Sequence, residues 1–365
     1  MSEEENYEFS DVVERVKNAL AGAGTTTGAT MFPTETADEI IQIVYERNFM
    51  RSLFQSLPMA TRTVKVPKLS TSIGFHRQTI AQTQAGTASD ESTHGTAEID
   101  LTLSTMIANI PIGNYLIAYG VEGLLTVLRD DIASRLAFNE ESLFINGDTE
   151  TGGSLANNIN GAYRSSAPLN LGGINTTAGQ EQNDYLLNFD GLRKKAGTSV
   201  SVSGTFALSH LRSAINKLGV FADNRDELSL IVPRNLEVQL LGFTELQTVD
   251  KYGAGATILS GELGRLYGIR VFATGTIPTN LHFDGKFHPS GTVNGVSAVQ
   301  DKTVALLVHN RSPLIGNPTD ADRRFNMGFL DEPTKDRFVL IPRQDVAFNV
   351  RYPEALCLLH GIATV

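Results

Sequence analysis

Seven histidines, one cysteine and two glycine-rich stretches are the places where this chain could do chemistry. Gly22, Gly24 and Gly28 form one glycine set, and Gly253, Gly255 and Gly261 another. A phosphate cradle needs such glycines between a strand and a helix, so that backbone amides can approach the anion. The first set follows no predicted strand, the second has the wrong spacing, and neither G-K-S nor G-K-T occurs. Both read as loops. Asp223, Arg225 and Glu227 lack the glycine and distal glutamate of a calcium loop and read as a solvated turn. His282 and His288 flank a turn-rich stretch, but the sequence suggests no third metal ligand. Cys357 and His360 lie in an apolar C-terminal segment and read as core rather than as nucleophile and base. No G-x-S-x-G elbow or H-E-x-x-H helix appears. Asp130, Asp131, Glu140 and Glu141 fall on the polar side of a long helix, where solvation or helix pairing accounts for them. No catalytic, cofactor or metal site emerges, and the expectation is a protein that is not an enzyme.

Composition narrows the field. At 365 residues the chain can hold two domains or one elaborate one. Hydrophobic residues make up 41%, enough for a substantial core. The charged fraction of 19% lies below the roughly 25% of an average soluble protein, which points to surface covered by partners. A formal net charge of −10 argues against coating nucleic acid, and no run of Lys and Arg resembles a phosphate-binding arm. The start, MSEEENYEFSDVVE, is acidic and lacks the apolar core of a secretory signal. No apolar stretch reaches the ~18 residues of a membrane span. A single cysteine, Cys357, excludes a disulfide within the chain and a thiolate zinc site. A soluble protein of intracellular origin is expected.

The four helical carboxylates ride on the longest element. The stretch from Pro111 to Gly153 reads as an amphipathic helix running into a polar Gly-Asp-Thr loop. Val121, Leu124, Leu125, Leu128, Ile132, Leu136, Leu143 and Phe144 recur at helical period. A helix from Val121 to Asn146 would be roughly 39 Å long at 1.5 Å per residue, well beyond the three turns of an average helix. It is a spine for something flat or extended. Leu124, Leu128, Ile132 and Leu136 are its candidate core positions.

Before the spine, TVKVPKL reads as a strand through Val64 and Val66, and Ile99, Leu101, Leu103 and Ile107 alternate with period two in a second. Between them, residues 71–97 are rich in Thr, Ser, Gln and Gly, with only Ile73, Phe75 and Ile80 as local anchors. Such a loop is either disordered or functional. The functional form is a two-stranded finger, marginally stable alone and in need of another surface.

The start of the chain reads as an arm: a short helix capped by Ser10, a flexible stretch to about Pro33, and a helix from Thr36 to Met50. After the spine, residues 154–188 read as irregular connection. An α/β unit begins near Ser199, with a helix through Leu208, Leu211, Ile215 and Leu218, the buried strand LSLIVP at 228–233, and a helix from Asn235 to about Leu241. A Gly-rich loop over KYGAGATILSGELG leads to strand IRVFAT, and 280–298 reads as an insertion of turns. VALLV (304–308), FVLIP (338–342) and a last strand through Val346, Phe348 and Val350 complete the pattern.

These parts, in this order, resemble a tailed-phage major capsid protein of the Hong Kong 97-like fold, an α+β architecture. FPTETADEIIQIVYERNFMRSLFQSLP is similar to the helix that ends the arm, and VEGLLTVLRDDIASRLAFNEESLFINGDTETGG to the spine helix with its Gly-Asp loop. LSLIVPRNLEVQLLG with GELGRLYGIRVFATGTIP is similar to the axial domain, and DVAFNVRYPEALCLLHGI to the closing strand of the peripheral domain. The resemblance implies an N-terminal arm at 1–61, an extended loop at 62–108, a peripheral domain with the spine at 109–197, an axial domain at 198–340 with its insertion near 280–298, and a closing strand at 341–365. It assigns the extended loop to a neighbouring subunit, with Phe75, Arg77, Ile80, Asp90 and Glu91 in contact.

The same resemblance implies a homo-oligomer of pentamers and hexamers forming an icosahedral head around double-stranded DNA, bound without sequence specificity and without a membrane. Assembly would take place in the host cytoplasm. The short stretch before the matching part implies a separate scaffolding protein, beside a portal and a decoration protein. The family's Lys–Asn crosslink is not expected, because residues 71–97 contain no lysine and Lys65 and Lys68 lie at the loop's base. Two other readings stay open on the sequence: an encapsulin-type shell, and a soluble α/β enzyme with an unrecognised site.

Overall fold

The computed structural model describes residues 49–71, 73–77, 79–85, 92, 94–114, 124–150, 158–160, 170–171, 174–175, 185–243, 246–247, 262–287, 292–293, 296–297, 301–320 and 326–364. The helix expected from Ser10 and most of that expected from Thr36 lie outside these residues, as do both glycine sets examined for phosphate binding. No helix among the described residues is long and apolar enough to cross a membrane.

Continuous apolar runs build the centre of the first sheet. Its seven strands run in the order Leu246–Gln247, Glu262–Leu266, Ile269–Thr274, Leu228–Pro233, Lys302–His309, Leu356–Ala363 and Thr198–Gly204. Strands Ile269–Thr274 and Leu228–Pro233 pair in parallel, as do Leu356–Ala363 and Thr198–Gly204, and the other pairs are antiparallel. Successive side chains point to opposite faces, and here both faces are covered. Leu230, Val232, Val271, Ala305 and Leu307 meet helices Leu208–Leu218 and Arg234–Leu241 through Leu211, Ala214, Leu236 and Leu240. Ile231, Phe272, Val304, Leu306 and Val308 face the other way, into a cluster with Leu143, Phe144 and Ile145 of the spine. A strand buried on two sides reads as an unbroken apolar run rather than an alternation, which is why LSLIVP is buried at every position.

The second sheet has six strands, ordered Gln55–Met59, Pro313–Pro318, Arg337–Val350 and Asn326–Glu332, with Ser104–Ile107 and Ile110–Gly113 also paired to Arg337–Val350. The expected strands FVLIP and Val346–Val350 are one continuous strand of 14 residues. The boundary placed at 340/341 therefore falls inside a strand. Leu356–Ala363, expected with the peripheral domain, pairs instead within the seven-stranded sheet. The chain crosses between the sheets, and no local composition change marks the crossing.

The spine helix spans Leu124–Asn146. Ile132 is buried, and Leu136 is half-buried against the cluster of Leu143 and Phe144. The side chains of Leu124 and Leu128 lie outside the described residues. The assignment of Glu140 and Glu141 to a solvated side is corrected: every residue from Glu140 to Asp148 is buried. Both sheets close around the last turns, so no face is left for water. Glu140 pairs with Arg51, and Glu141 accepts from the hydroxyls of Thr274 and Thr276. Asp131 remains on the surface, 3.8 Å from Arg135.

Candidate functional site

Two strands leave the body of the protein as a ribbon. Thr63–Thr71 runs antiparallel to Gly95–Thr102, with Val64 opposite Leu101 and Val66 opposite Ile99. The alternation expected from Ile99 through Ile107 breaks at Leu103, whose amide donates to the Arg62 carbonyl at 2.8 Å. Ser104–Ile107 then joins the six-stranded sheet, leaving Ile107 61% exposed. Among the described residues only the base of the ribbon is packed, where Val66, Leu101 and Leu103 meet Met59, Leu314 and Ala347. Gly316 lets this base approach: a Cβ there would lie 2.3 Å from Met59 Sδ and 2.7 Å from Leu101 Cδ2.

Toward the far end, four apolar side chains among the described residues are exposed. Leu69, Ile73, Phe75 and Ile80 are 53%, 58%, 98% and 78% exposed. Ile80 opens a helical turn, Ile80–Gln84, closed by a capping box between Thr79 and Gln82. Arg77 is exposed beside them, while Asp90 and Glu91 lie outside the described residues. Isolated surface apolar groups are common; here four lie within twelve residues of one ribbon.

At the C-terminal end of the spine, the Gly-Asp loop forms a buried polar node. The amide of Gly191 donates to the Gly147 carbonyl at 2.8 Å. Asp148, 2% exposed, receives the Ile159 amide at 2.7 Å, the Glu150 amide at 3.0 Å and the Lys194 ammonium at 2.5 Å. Arg193 donates to Asn146 Oδ1 at 2.8 Å and to the Gly285 carbonyl at 2.8 Å. Asn160 closes the ring through its bond to the Asn146 carbonyl at 2.6 Å. Burial pushes the Arg193 guanidinium down to about 10, against the opposing charges of Asp148 and Asp284, so it stays a cation at neutral pH. Burial alone would raise the Asp190 carboxyl. The Thr149 amide and hydroxyl and the Lys194 ammonium outweigh it and hold Asp190 below the usual range. For Lys194 burial opposes the charge, but Asp148 and Asp190 prevail and its value is raised.

A cleft of about 530 Å³ opens beside this node, and Glu150, Asp190, Asp284, Arg193, Lys194 and Lys286 are among its lining residues. Its walls carry three carboxylates and three cations, with Lys194 paired to both Asp148 and Asp190. The node's chemistry is structural: it fastens the spine's last turn to helix Leu192–Lys195 and to the turn at Gly285. Glycine and aspartate in the loop were visible in the sequence, but Arg193 and Asn160 were not. The run LRKK after Asp190 was the one available signal.

The residues considered for chemistry are dispersed. Cys357 and His360 lie on opposite faces of one strand, Cys357 in the cluster under the helices and His360 with Nδ1 2.8 Å from the Phe283 carbonyl. Burial raises the Cys357 thiol despite Thr198 and Lys217, which leaves little thiolate at neutral pH. His282 is buried, with Nδ1 3.4 Å from Asp284, and His288 lies outside the described residues. Asp223 and Arg225 are exposed, while half-buried Glu227 pairs with His309 and Arg311. Among the described residues no group of three or more His, Cys, Asp or Glu side chains could hold a metal ion.

The model of the phage capsid family matches residues 28–242, more than half of the chain. This chain belongs to the phage capsid family. Solved structures are similar in fold across nearly the whole length. A chain of Microbacterium phage Oxtober96 has a TM-score of 0.54 at 13% identity, covering 91% of this chain and 97% of its own. The capsid of Cyanophage P-SCSP1u has a TM-score of 0.53 at 13% identity, covering 94% and 97%. The mature capsid of bacteriophage PhiM1 has a TM-score of 0.51 at 12% identity, covering 90% and 91%. At such identities the structures speak for the fold alone. No curated protein is significantly similar in sequence. The fold is the Hong Kong 97-like capsid fold, and the protein is a major capsid protein of a tailed-phage head. As a capsid-family member it is a structural protein of the virion, working as part of an oligomeric shell. Neither an encapsulin shell nor a soluble enzyme gains support from these findings.

Proposed function

We propose that this capsid protein closes its shell by laying the ribbon across a neighbouring subunit, with Phe75, Arg77, Ile80, Asp90 and Glu91 in the contact. The near-complete exposure of Phe75 in the isolated subunit carries this reading. Covering a large apolar side chain stabilises the assembly by about 1.5–3 kcal/mol relative to leaving it in water. Among the described residues, no buried cluster covers Phe75.

In the proposed shell, the seven-stranded unit is axial and lies near the centre of pentamers and hexamers. The six-stranded sheet, the spine and the ribbon form the peripheral part. The head encloses double-stranded DNA without reading its sequence, which accords with a net charge of −10. A separate scaffolding protein, a portal and a decoration protein complete assembly in the host cytoplasm.

The test replaces residues 72–94 by an Asn-Gly turn, which suits a two-residue hairpin between Thr71 and Gly95. A soluble, folded subunit that no longer forms closed particles is the expected result. Normal particles from this variant would refute the ribbon's role.

A further inference from the structure

The segment that leads into the ribbon is tied to the spine by one charged pair. Arg51 sits on the helical turn Met50–Leu53. Its Nε lies 2.6 Å from Glu140 Oε1, the two side chains being 33% and 5% exposed. Its Nη1 donates to Asn317 Oδ1 at 2.6 Å, and Asn317 Nδ2 donates in turn to Ser56 Oγ at 2.6 Å. The second oxygen of Glu140 accepts from Gln344 Nε2 of the long strand at 3.0 Å. One guanidinium thus touches the spine and the six-stranded sheet, and reaches through Asn317 to strand Gln55–Met59. Met59 ends that strand and packs with Val66 and Leu101 at the ribbon's base.

We propose that Arg51 gears the ribbon to the spine. A guanidinium presents its N–H groups in a rigid planar fork; Nη1 holds Asn317 by a hydrogen bond while the Nε side lies in ion-pair contact with Glu140, so the two residues are kept at one separation. Moving Arg51 away would leave a buried carboxylate facing only a neutral amide, a costly arrangement. A shift of the spine's last turns therefore carries Pro313–Pro318 and its parallel partner Gln55–Met59 with it, and the ribbon leaves from the end of that second strand. Phe49, stacked on Phe272 with ring centroids 5.0 Å apart, ties the same root to the seven-stranded sheet. The consequence for shell assembly rests on the ribbon reading above; the coupling itself does not.

Hydrogen exchange on the unassembled full chain tests the gear in R51M, E140Q and the double variant. R51M is expected to speed exchange about tenfold or more, the scale of a buried carboxylate losing its counter-ion. The acceleration should appear together in residues 136–146 and in ribbon residues 63–66 and 99–102, while helix Leu208–Leu218 keeps its rate. Adding Glu140→Gln should restore protection in the spine but not in the ribbon, because the stranded charge is gone and the fork is still missing. An unchanged ribbon in R51M, or a uniform rise everywhere, overturns the proposal. If R51M does not fold, R51K carries the test, since lysine keeps the charge and loses the fork. Faster ribbon exchange with a protected spine supports the gear, and an unchanged ribbon rate overturns it. Because exchange is read without assembly, failure here leaves the ribbon's intersubunit role standing.

Discussion

Gly147 and Gly191 meet backbone to backbone at the end of the spine. The Gly191 amide reaches the Gly147 carbonyl at 2.8 Å, and a Cβ on Gly147 would lie 2.2 Å from the Phe189 carbonyl oxygen. A Cβ on Gly191 would lie 2.7 Å from the Gly147 nitrogen. The contact brings the Gly-Asp loop close enough for Asp148 to reach Lys194.

Gly147→Ala is therefore expected to force the loop away from residues 189–191. The cost should reach or exceed the upper end of the about 1–3 kcal/mol typical of overpacking, because backbone rather than a flexible side chain is displaced. Chemical denaturation of the unassembled subunit measures it. A change within about 0.5 kcal/mol, as at an ordinary surface site, would show that the loop relaxes freely.

The node also sets a pH dependence. Asp190 is held below its usual range, so its contribution is present above the unfolded value of about 3.9 and is lost as pH falls through the folded value. Lys194 is raised, so its contribution is present below about 10.4 and is lost as pH rises through the folded value. Asp190→Asn should make the fall in stability below about pH 4 shallower. Thermal unfolding from pH 3 to 6 reads this slope, and identical slopes in both proteins would remove Asp190 from the account.

Gly316 makes a third point of close approach. Gly316→Val would press on Met59 and Leu101 and lift the ribbon's base from the sheet. Destabilisation of about 1–3 kcal/mol is expected, with proteolysis after Lys65 and Lys68 accelerated. Unchanged cleavage at both lysines would argue against this packing.

Phe75→Ser combined with Ile80→Ser should leave subunit stability within about 0.5 kcal/mol, because both side chains are exposed before assembly. Particle yield should collapse. Sedimentation of assembly reactions separates the two effects, and full yield from the double variant would place the subunit contact elsewhere.

Much of the fold was legible because period and burial agree. The ribbon strands and LSLIVP carry patterns that only one local geometry satisfies, and Ile132 repeats where a buried helix face needs it. Glu140 and Glu141 were misread for an equally physical reason. A carboxylate is placed on the outside by its own chemistry, and only the distant partners Arg51, Gln344, Thr274 and Thr276 make burial affordable. Those partners lie about 90 or more residues away along the chain, so no local pattern announces them. The break at Leu103 was hidden likewise, since Ile99, Leu101, Leu103 and Ile107 keep an even-numbered spacing in the sequence while the strand changes sheet.

Electron microscopy of the purified protein, alone and expressed with its neighbouring gene products, tests the central claim most directly. Closed icosahedral particles, or rings of five and six subunits, are the predicted result. A uniform population of monomers or dimers under all these conditions would contradict a shell built by ribbon exchange between subunits.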